Sequence, residues 1–419
     1  MMNTVCFAGK QYSFLVVLFL FASCTQDASV GIPEFSDGGI LAHALPIARQ
    51  NILLLNGVYD VVNGSDEFGK TVVIKTNDSL ISIFTGKNAA LFVLRAGSID
   101  SSLHFEGYWR YTQSDETGLA RFEVGAEDGG TDILQGKLPL SSIVVHGTIG
   151  NGSSTSDREI VLRYQRPLQY PSPFWIIAHR GGGRNSDRLP ESENSLGIII
   201  IAESFGANAI EIDVRLTKDG IPILFHDDNF SPRLIDGEYC IGPVANYSFA
   251  SIRTLCTLKN GERIPTLREA LDCALTKTNL SLVWLDLKSP EALAASAIIQ
   301  KEYKQKALAL GRNMEILLGL PTDELVDAYK KQNLPGTTDA LCELGLDDVH
   351  GTDARVWAPR WTLGPMSREV EQLHGEGKRT FVWTLDQPEF IRTFLMEGKP
   401  DGILTNYPSL VAYEYYIFQ

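Results

Sequence analysis

Between Trp175 and Asp228 one pattern recurs three times: a short apolar run that ends in ionisable side chains. Trp175-Ile176-Ile177-Ala178 leads into His179-Arg180-Gly181-Gly182-Gly183. Ala209-Ile210-Glu211-Ile212-Asp213-Val214-Arg215-Leu216 carries two acids within its run. Ile221-Pro222-Ile223-Leu224-Phe225 ends in His226-Asp227-Asp228. Apolar runs of this length, bounded by turn residues, read as buried strands. Three such strands within about 50 residues, each followed by a loop, have the spacing of βα units. Those units close into a parallel barrel whose reactive side chains sit at the C-terminal strand ends.

The second run is the most demanding. Side chains alternate faces along a strand, so Glu211 and Asp213 lie side by side, with Ile210, Ile212 and Val214 opposite. Two like charges in covered surroundings repel and lose solvation, at several kcal/mol unless compensated. A divalent cation is the economical compensation. A salt bridge to Arg215 or Lys218 is the structural alternative, and His179 and His226 on either side favour the cation.

From Phe174 onward there are about 245 residues, close to the usual size of an eight-fold βα barrel. The strand candidates are Trp175–Ala178, Ala209–Val214, Pro222–Phe225, Leu282–Leu287, Glu315–Leu320, Glu343–Asp347, Thr380–Leu385 and Asp401–Leu404. Helix-like segments, among them Ser195–Phe205, Thr266–Leu275 and Pro290–Leu310, separate several of them. In the fourth candidate Trp284, Asp286 and Lys288 share a face. Asp286 offers a third acid for a hard-cation site that suits calcium or magnesium. Arg180 and Lys288 are suited to phosphate oxygens. Trp383 lies in the C-terminal half of the seventh candidate.

Residues 40–166 have a different texture, with many short runs separated by turns such as Asn63-Gly64-Ser65-Asp66. That spacing predicts a small all-β domain, barrel or sandwich. It is expected to fold separately, as an accessory to the chemistry, and resembles lipocalin-type barrels loosely. A proline-rich linker, 167–173, joins it to the barrel domain, 174–419. The net charge of −14 argues against nucleic acid as a partner. It leaves room for a small phosphorylated substrate.

Lys10 and the apolar run Phe14–Ala22 read as a signal segment, 1–24, followed by a polar tether, 25–39. Ala22-Ser23-Cys24 resembles a bacterial lipobox, which implies lipidation at Cys24. The expected location is then an exported lipoprotein on the periplasmic face of a membrane or the cell surface. Contact with the membrane is expected only through that anchor. An ordinary secretory signal is the alternative. Of the later cysteines, the spacing allows a Cys240–Cys256 disulfide without requiring one.

Taken in order, the following segments resemble the glycerophosphodiester phosphodiesterase family: His179-Arg180-Gly181-Gly182, Glu193-Asn194-Ser195, Glu211-Ile212-Asp213-Val214, Thr217-Lys218-Asp219-Gly220, Pro222–Asp227, Ile264-Pro265-Thr266-Leu267, Leu285-Asp286-Leu287-Lys288, Val382-Trp383-Thr384 and Asp401–Pro408. The resemblance implies a TIM barrel that hydrolyses glycerophosphodiesters with one bound calcium or magnesium ion. Glu211, Asp213 and Asp286 would hold the metal, and His179 and His226 would act as general acid and base. Arg180 and Lys288 would hold phosphate, Glu193 and Asn194 would shape the pocket, and Trp383 would wall it. The family usually has glutamate where Asp286 stands, and Gly183–Leu189 are extra residues. Thr405-Asn406-Tyr407-Pro408 stands where the family has Thr-Asp-Tyr-Pro. Relatives with the same barrel cleave phosphatidylinositol or sphingomyelin, and Thr217–Gly220 with Pro265–Leu267 favour the glycerophosphodiester branch. A surface binding protein without turnover is the other alternative; the intact histidines and acids argue against it.

Overall fold

The computed structural model describes residues 30–418, apart from 79, 140–141, 155–157 and 171–172. The predicted signal segment and the predicted lipidation site, Cys24, lie outside the described residues. Two barrels follow in order. The first has strands β1 Gly57–Asn63, β2 Thr71–Asn77, β3 Leu80–Thr85, β4 Ala90–Ile99, β5 Ser102–Tyr111, β6 Thr117–Val124, β7 Val144–Ile149 and β8 Arg158–Pro167. Each pairs antiparallel with the next, and β8 returns to β1, so the all-β domain is a closed barrel, not a sandwich. Its interior is packed with side chains, including Tyr59, Phe92, Phe105, Trp109 and Phe122.

Parts of strands β2 to β4 are apolar on both faces, for a physical reason. Val72, Ile74, Ile81, Ile83 and Phe92 point into the first barrel, while Val73, Phe84 and Leu91 point out and join the core of the second. Alternation marks a strand with one wet face, and at these positions both faces are covered. Gly206 (φ +99°) sits at the contact, where a Cβ would lie 3.0 Å from the Phe84 ring and 2.9 Å from Ala412 Cβ. The domain expected to fold separately thus shares one continuous buried cluster with its neighbour.

The second barrel contains β9 Trp175–Ala178, β10 Ala209–Leu216, β12 Leu282–Leu287, β13 Glu315–Leu320, β14 Ala340–Cys342, β15 Val356–Trp357, β16 Arg379–Val382 and β17 Gly402–Thr405. They pair in parallel, and β17 closes on β9. Two sequence expectations are corrected. Pro222–Phe225 is not a barrel strand: β11, Pro222–Leu224, folds back antiparallel on β10. The chain between them turns through Gly220 (φ +78°), and so short a connection can join only antiparallel strands. The predicted strand Glu343–Asp347 lies three residues earlier, at β14, and Leu346–Gly351 is helical. The unassigned eighth strand is β15, whose two residues are too few to show a period.

Local signals start the helices where they were expected. The Ser195 hydroxyl accepts from Ile198 N–H at the start of Leu196–Ile201, and Thr266 with Glu269 forms a capping box before Leu267–Lys277. Inside the barrel, Ile177, Leu282, Trp284, Leu317, Leu341 and Phe381 form an apolar floor. The excursion after β11 has a small core of its own around Phe225, Phe230 and Ile252. The Cys240–Cys256 disulfide ties it, with Cα atoms 5.7 Å apart. Among the described residues no helix is long and apolar enough to cross a membrane.

Candidate active site

The parallel register of β10 and β12 sets Glu211 opposite Trp284 and Asp213 opposite Asp286. Oxygen atoms of Glu211, Asp213 and Asp286 lie within 4.8 Å of one another. Glu211 and Asp213 are buried and Asp286 is half-buried. The neighbours offset this charge only in part. Lys288 Nζ lies 2.6 Å from Asp213 Oδ1 and also pairs with Asp286. The Arg180 backbone N–H donates to Glu211 Oε2 (2.8 Å), and its Nε lies 3.8 Å from Asp213 Oδ2. Asn194 Nδ2 donates to Asp213 Oδ2 (2.7 Å), and Asp213 N–H returns a bond to Asn194 Oδ1 (3.0 Å).

The acids titrate unequally. Burial, then Asp213 and Asp286, push the Glu211 carboxyl well above the usual range. Burial and the charge of Asp213 also raise Asp286, against the pull of Lys288. Burial works to raise Asp213 too, but Lys288, His226 and Arg180 outweigh it and hold that carboxylate below its usual range. For Lys288, burial opposes the charge and the three acids restore it, leaving the ammonium above its ordinary value. Glu211 Oε1 and Asp286 Oδ1 are buried without a hydrogen bond, and Asp213 Oδ1 meets the Lys288 ammonium. Three clustered hard oxygen donors, two of them with an unpartnered buried atom, fit a divalent cation.

Each histidine is held through Nδ1. His179, at the end of β9, has Nδ1 2.6 Å from Asn406 Oδ1. Asn406 Nδ2 donates to Asp386 Oδ2 (2.6 Å), and its backbone N–H donates to Asp386 Oδ1 (2.9 Å). With the amide NH2 committed to a carboxylate, the amide oxygen faces the ring. His179 Nδ1 therefore carries the proton and Nε2 the lone pair. Burial, then Arg180, push this imidazole down to about 3. His226 Nδ1 lies 2.7 Å from Asp227 Oδ1, which also accepts from Arg233 Nη2 (2.7 Å). Arg215 donates twice to the His226 carbonyl, at 3.0 and 2.8 Å.

The other predicted residues fall as follows. Glu193 is buried beside Arg180: its Oε1 accepts from Arg180 Nη1 (2.6 Å) and its Oε2 from Asn185 N–H (2.8 Å). Trp383 follows β16 at the barrel mouth, where its Nε1 donates to the Ala358 carbonyl (2.7 Å) and the Arg360 guanidinium lies 4.9 Å from its ring. All ten predicted site residues gather at the C-terminal end of the second barrel. Sequence reasoning assigned no role to Asn406, Asp386, Asp227 or Glu343. Asp227 follows His226 directly, and Asn406 lies in a matched segment, so those two were within reach. Asp386 and Glu343 stand in segments with no comparable signal. Glu343 follows β14, and burial, then Asp286, push its carboxyl well above the usual range.

A model described as the "Glycerophosphoryl diester phosphodiesterase family" matches residues 179–410. "Glycerophosphodiester phosphodiesterase 1" of Rattus norvegicus is 36% identical over 154 residues, which are 34% of this chain and 43% of the rat protein. The Homo sapiens protein of that name is 36% identical over 151 residues, 33% of this chain and 42% of its own. The matched region thus spans less than half the length of these two relatives. "Glycerophosphodiester phosphodiesterase" of Caldanaerobacter subterraneus subsp. tengcongensis is 29% identical over 251 residues, 56% of this chain and 94% of the relative. A solved Oleispira antarctica phosphodiesterase, in complex with the product sn-glycerol-3-phosphate, has 22% identity and a TM-score of 0.45, over 58% of this chain and 96% of its own. The matching model covers more than half of the sequence and runs from His179 through both acid-bearing strands to Asn406, so the chain belongs to the glycerophosphoryl diester phosphodiesterase family.

Proposed function

We propose that this protein hydrolyses glycerophosphodiesters to glycerol 3-phosphate and a free alcohol, with His179 and His226 as the acid–base pair. One observation carries the reading: two histidines fixed through Nδ1 stand at the barrel end that holds three clustered acids. The substrate brings its own nucleophile, the glycerol hydroxyl beside the phosphate. Such proximity is worth roughly 7–11 kcal/mol. His179, neutral and with a bare Nε2, takes the proton of that hydroxyl as its oxygen attacks phosphorus. His226, held through Nδ1 by Asp227, gives a proton to the departing alkoxide. A cyclic phosphate forms as the P–O bond to the alcohol breaks. Water then opens the ring with the two histidines exchanging roles. Arg180 and Lys288 hold the phosphoryl oxygens, Glu193 and Asn194 fix Arg180 and Asp213 in place, and Trp383 walls the mouth. A calcium or magnesium ion held by Glu211, Asp213 and Asp286 supplies positive charge against the phosphoryl oxygens when bound.

Turnover of a panel of glycerophosphodiesters, with and without chelator, tests the reading. Release of glycerol 3-phosphate that stops with chelator and resumes with calcium or magnesium is expected. Release that ignores chelator would remove the cation from the scheme, and no release at all would favour a binding role. We propose in addition that the protein is exported and anchored through a lipid at Cys24. The apolar run ending in Ala22-Ser23-Cys24 supports this, and so does the Cys240–Cys256 disulfide, a bond suited to an oxidising compartment. Cys24→Ala should release the protein from the membrane fraction or stall its processing.

A further inference from the structure

We infer that the first barrel is a positioning element for the catalytic loop of the second, and that Arg110 is the residue through which it acts. The inference rests on the proposed reaction for its kinetic consequence, and on geometry alone for its structural one.

The loop between β9 and the helix Leu196–Ile201 carries Arg180, Glu193 and Asn194. It also contains Gly183–Leu189, the residues extra to the family pattern. Three of its non-glycine residues, Arg180, Arg188 and Asn194, have φ of 53°, 55° and 61°. Side chains disfavour that region by about 1–2 kcal/mol each, so such a loop keeps its shape only when its surroundings hold it. Part of the hold is internal. Arg184 grips Asp187 through its backbone N–H and two guanidinium nitrogens, at 2.8–3.0 Å. Asn185 and Glu193 exchange two hydrogen bonds of 2.8 Å each.

The rest comes from outside. Arg110, at the end of β5, is only 2% exposed. Its Nη2 donates to the Asp187 carbonyl at 3.3 Å. Asp115, in the β5–β6 turn, pairs with Arg188, one of the three left-handed residues. Tyr407, next to Asn406, donates to Asp187 Oδ1 at 3.0 Å. A cavity of about 20 Å³ marks the junction, lined by Leu91 and Arg110 of the first barrel and by Gly182, Leu189 and Asn406 of the second. The β5–β6 end of the first barrel therefore bears on the Asp187 turn. That turn bears on Glu193 through Asn185, and Glu193 holds Arg180. Glu193 also lies 3.6 Å from Arg233, the partner of Asp227 beside His226. Both histidine-bearing segments meet at one carboxylate whose neighbour is fixed by the first barrel. A rigid framework of this kind acts on rate because a misplacement of about 1 Å can cost on the order of a hundredfold.

The test uses the full chain and three variants. Arg110→Met keeps the buried stem and removes the donor. Arg188→Gln breaks the exposed pair with Asp115 at little risk to folding. Tyr413→Phe removes the 2.9 Å bond to Thr71, an interface contact remote from the loop, and serves as the control. Peptide-resolved hydrogen exchange and kcat with KM are measured for each. Arg110→Met is expected to speed exchange in residues 183–194 and to lower kcat about ten- to hundredfold, with KM changed less than about threefold. Arg188→Gln should move both readouts the same way by less, and Tyr413→Phe should leave both unchanged. If Arg110→Met fails to fold, Arg188→Gln decides alone. Exchange and kcat like wild type in the loop variants, or equal losses in the control, would overturn the inference. A wild-type chain with no turnover would overturn the proposed reaction and leave the exchange result to judge the positioning role.

Discussion

At the scale of single residues, the site depends on which nitrogen of each histidine is free. Asn406 sets this for His179, because Asp386 fixes which end of the amide faces the ring. Asn406→Ala should lower kcat by about the hundredfold typical of one acid–base group, with KM nearly unchanged, in steady-state assays. His179→Ala and His226→Ala should each lose at least about a hundredfold while still binding calcium or magnesium by calorimetry. Asp286→Glu restores the family's usual acid and should keep most of the activity with an altered metal preference. Buried Cys342 is a negative control for reactivity. Burial, and then the nearby acids against one backbone hydrogen bond, push its thiol up to about 11. At pH 8 only on the order of a thousandth of it is thiolate, so alkylation under native conditions should leave it unlabelled. The candidate catalytic residues were legible because strand alternation exposes paired acids and abrupt strand ends. Asp386 was not, since an isolated acid in a loop looks like any solvated charge.

Among the elements, the excursion after β11 matters most, because it carries His226, Asp227 and Arg233 on a small core of its own. The Cys240–Cys256 bond closes a separation of 16 residues within it. Restricting an unfolded loop of that length is worth about 3 kcal/mol. Replacing both cysteines by serine should therefore make this segment the first site of limited proteolysis, while the barrel strands stay protected. Activity should fall with the segment's order, since Arg233 would no longer steady Asp227. Strand prediction succeeded wherever an apolar run was long enough to show its period, as in β10 and β12. It failed at β14 and β15, of three and two residues, where hydrogen bonding to neighbours and not local sequence defines the strand. The third candidate was a real strand placed in the wrong pairing, because β11 has the same apolar character as a barrel strand.

For the whole molecule, the decisive fact is the shared core. Val73, Phe84 and Leu91 are buried against the helices that flank the first and last strands of the second barrel. Arg166 Nη2 also donates to the Tyr416 and Ile417 carbonyls, at 3.1 and 2.9 Å. Each large apolar side chain uncovered costs about 1.5–3 kcal/mol. A chain that starts near Tyr170 is therefore expected to aggregate, or to melt at least about 10 °C below the full protein in a calorimetric scan. The expectation from sequence is the opposite outcome, a barrel domain that works alone, and the same scan with a turnover assay decides between the two. Calcium or magnesium at a hundred times its dissociation constant should stabilise the intact chain by about 2.7 kcal/mol, and Asp213→Asn should abolish that gain. The second barrel with its acids and histidines is legible in the order of residues, because periodicity and strand-end chemistry are local properties. The pairing of β11, the partner that fixes His179 and the union of the two barrels emerge only in the folded molecule. Each of these depends on contacts between residues far apart in the chain, and a face that is apolar in sequence carries no mark of what will cover it.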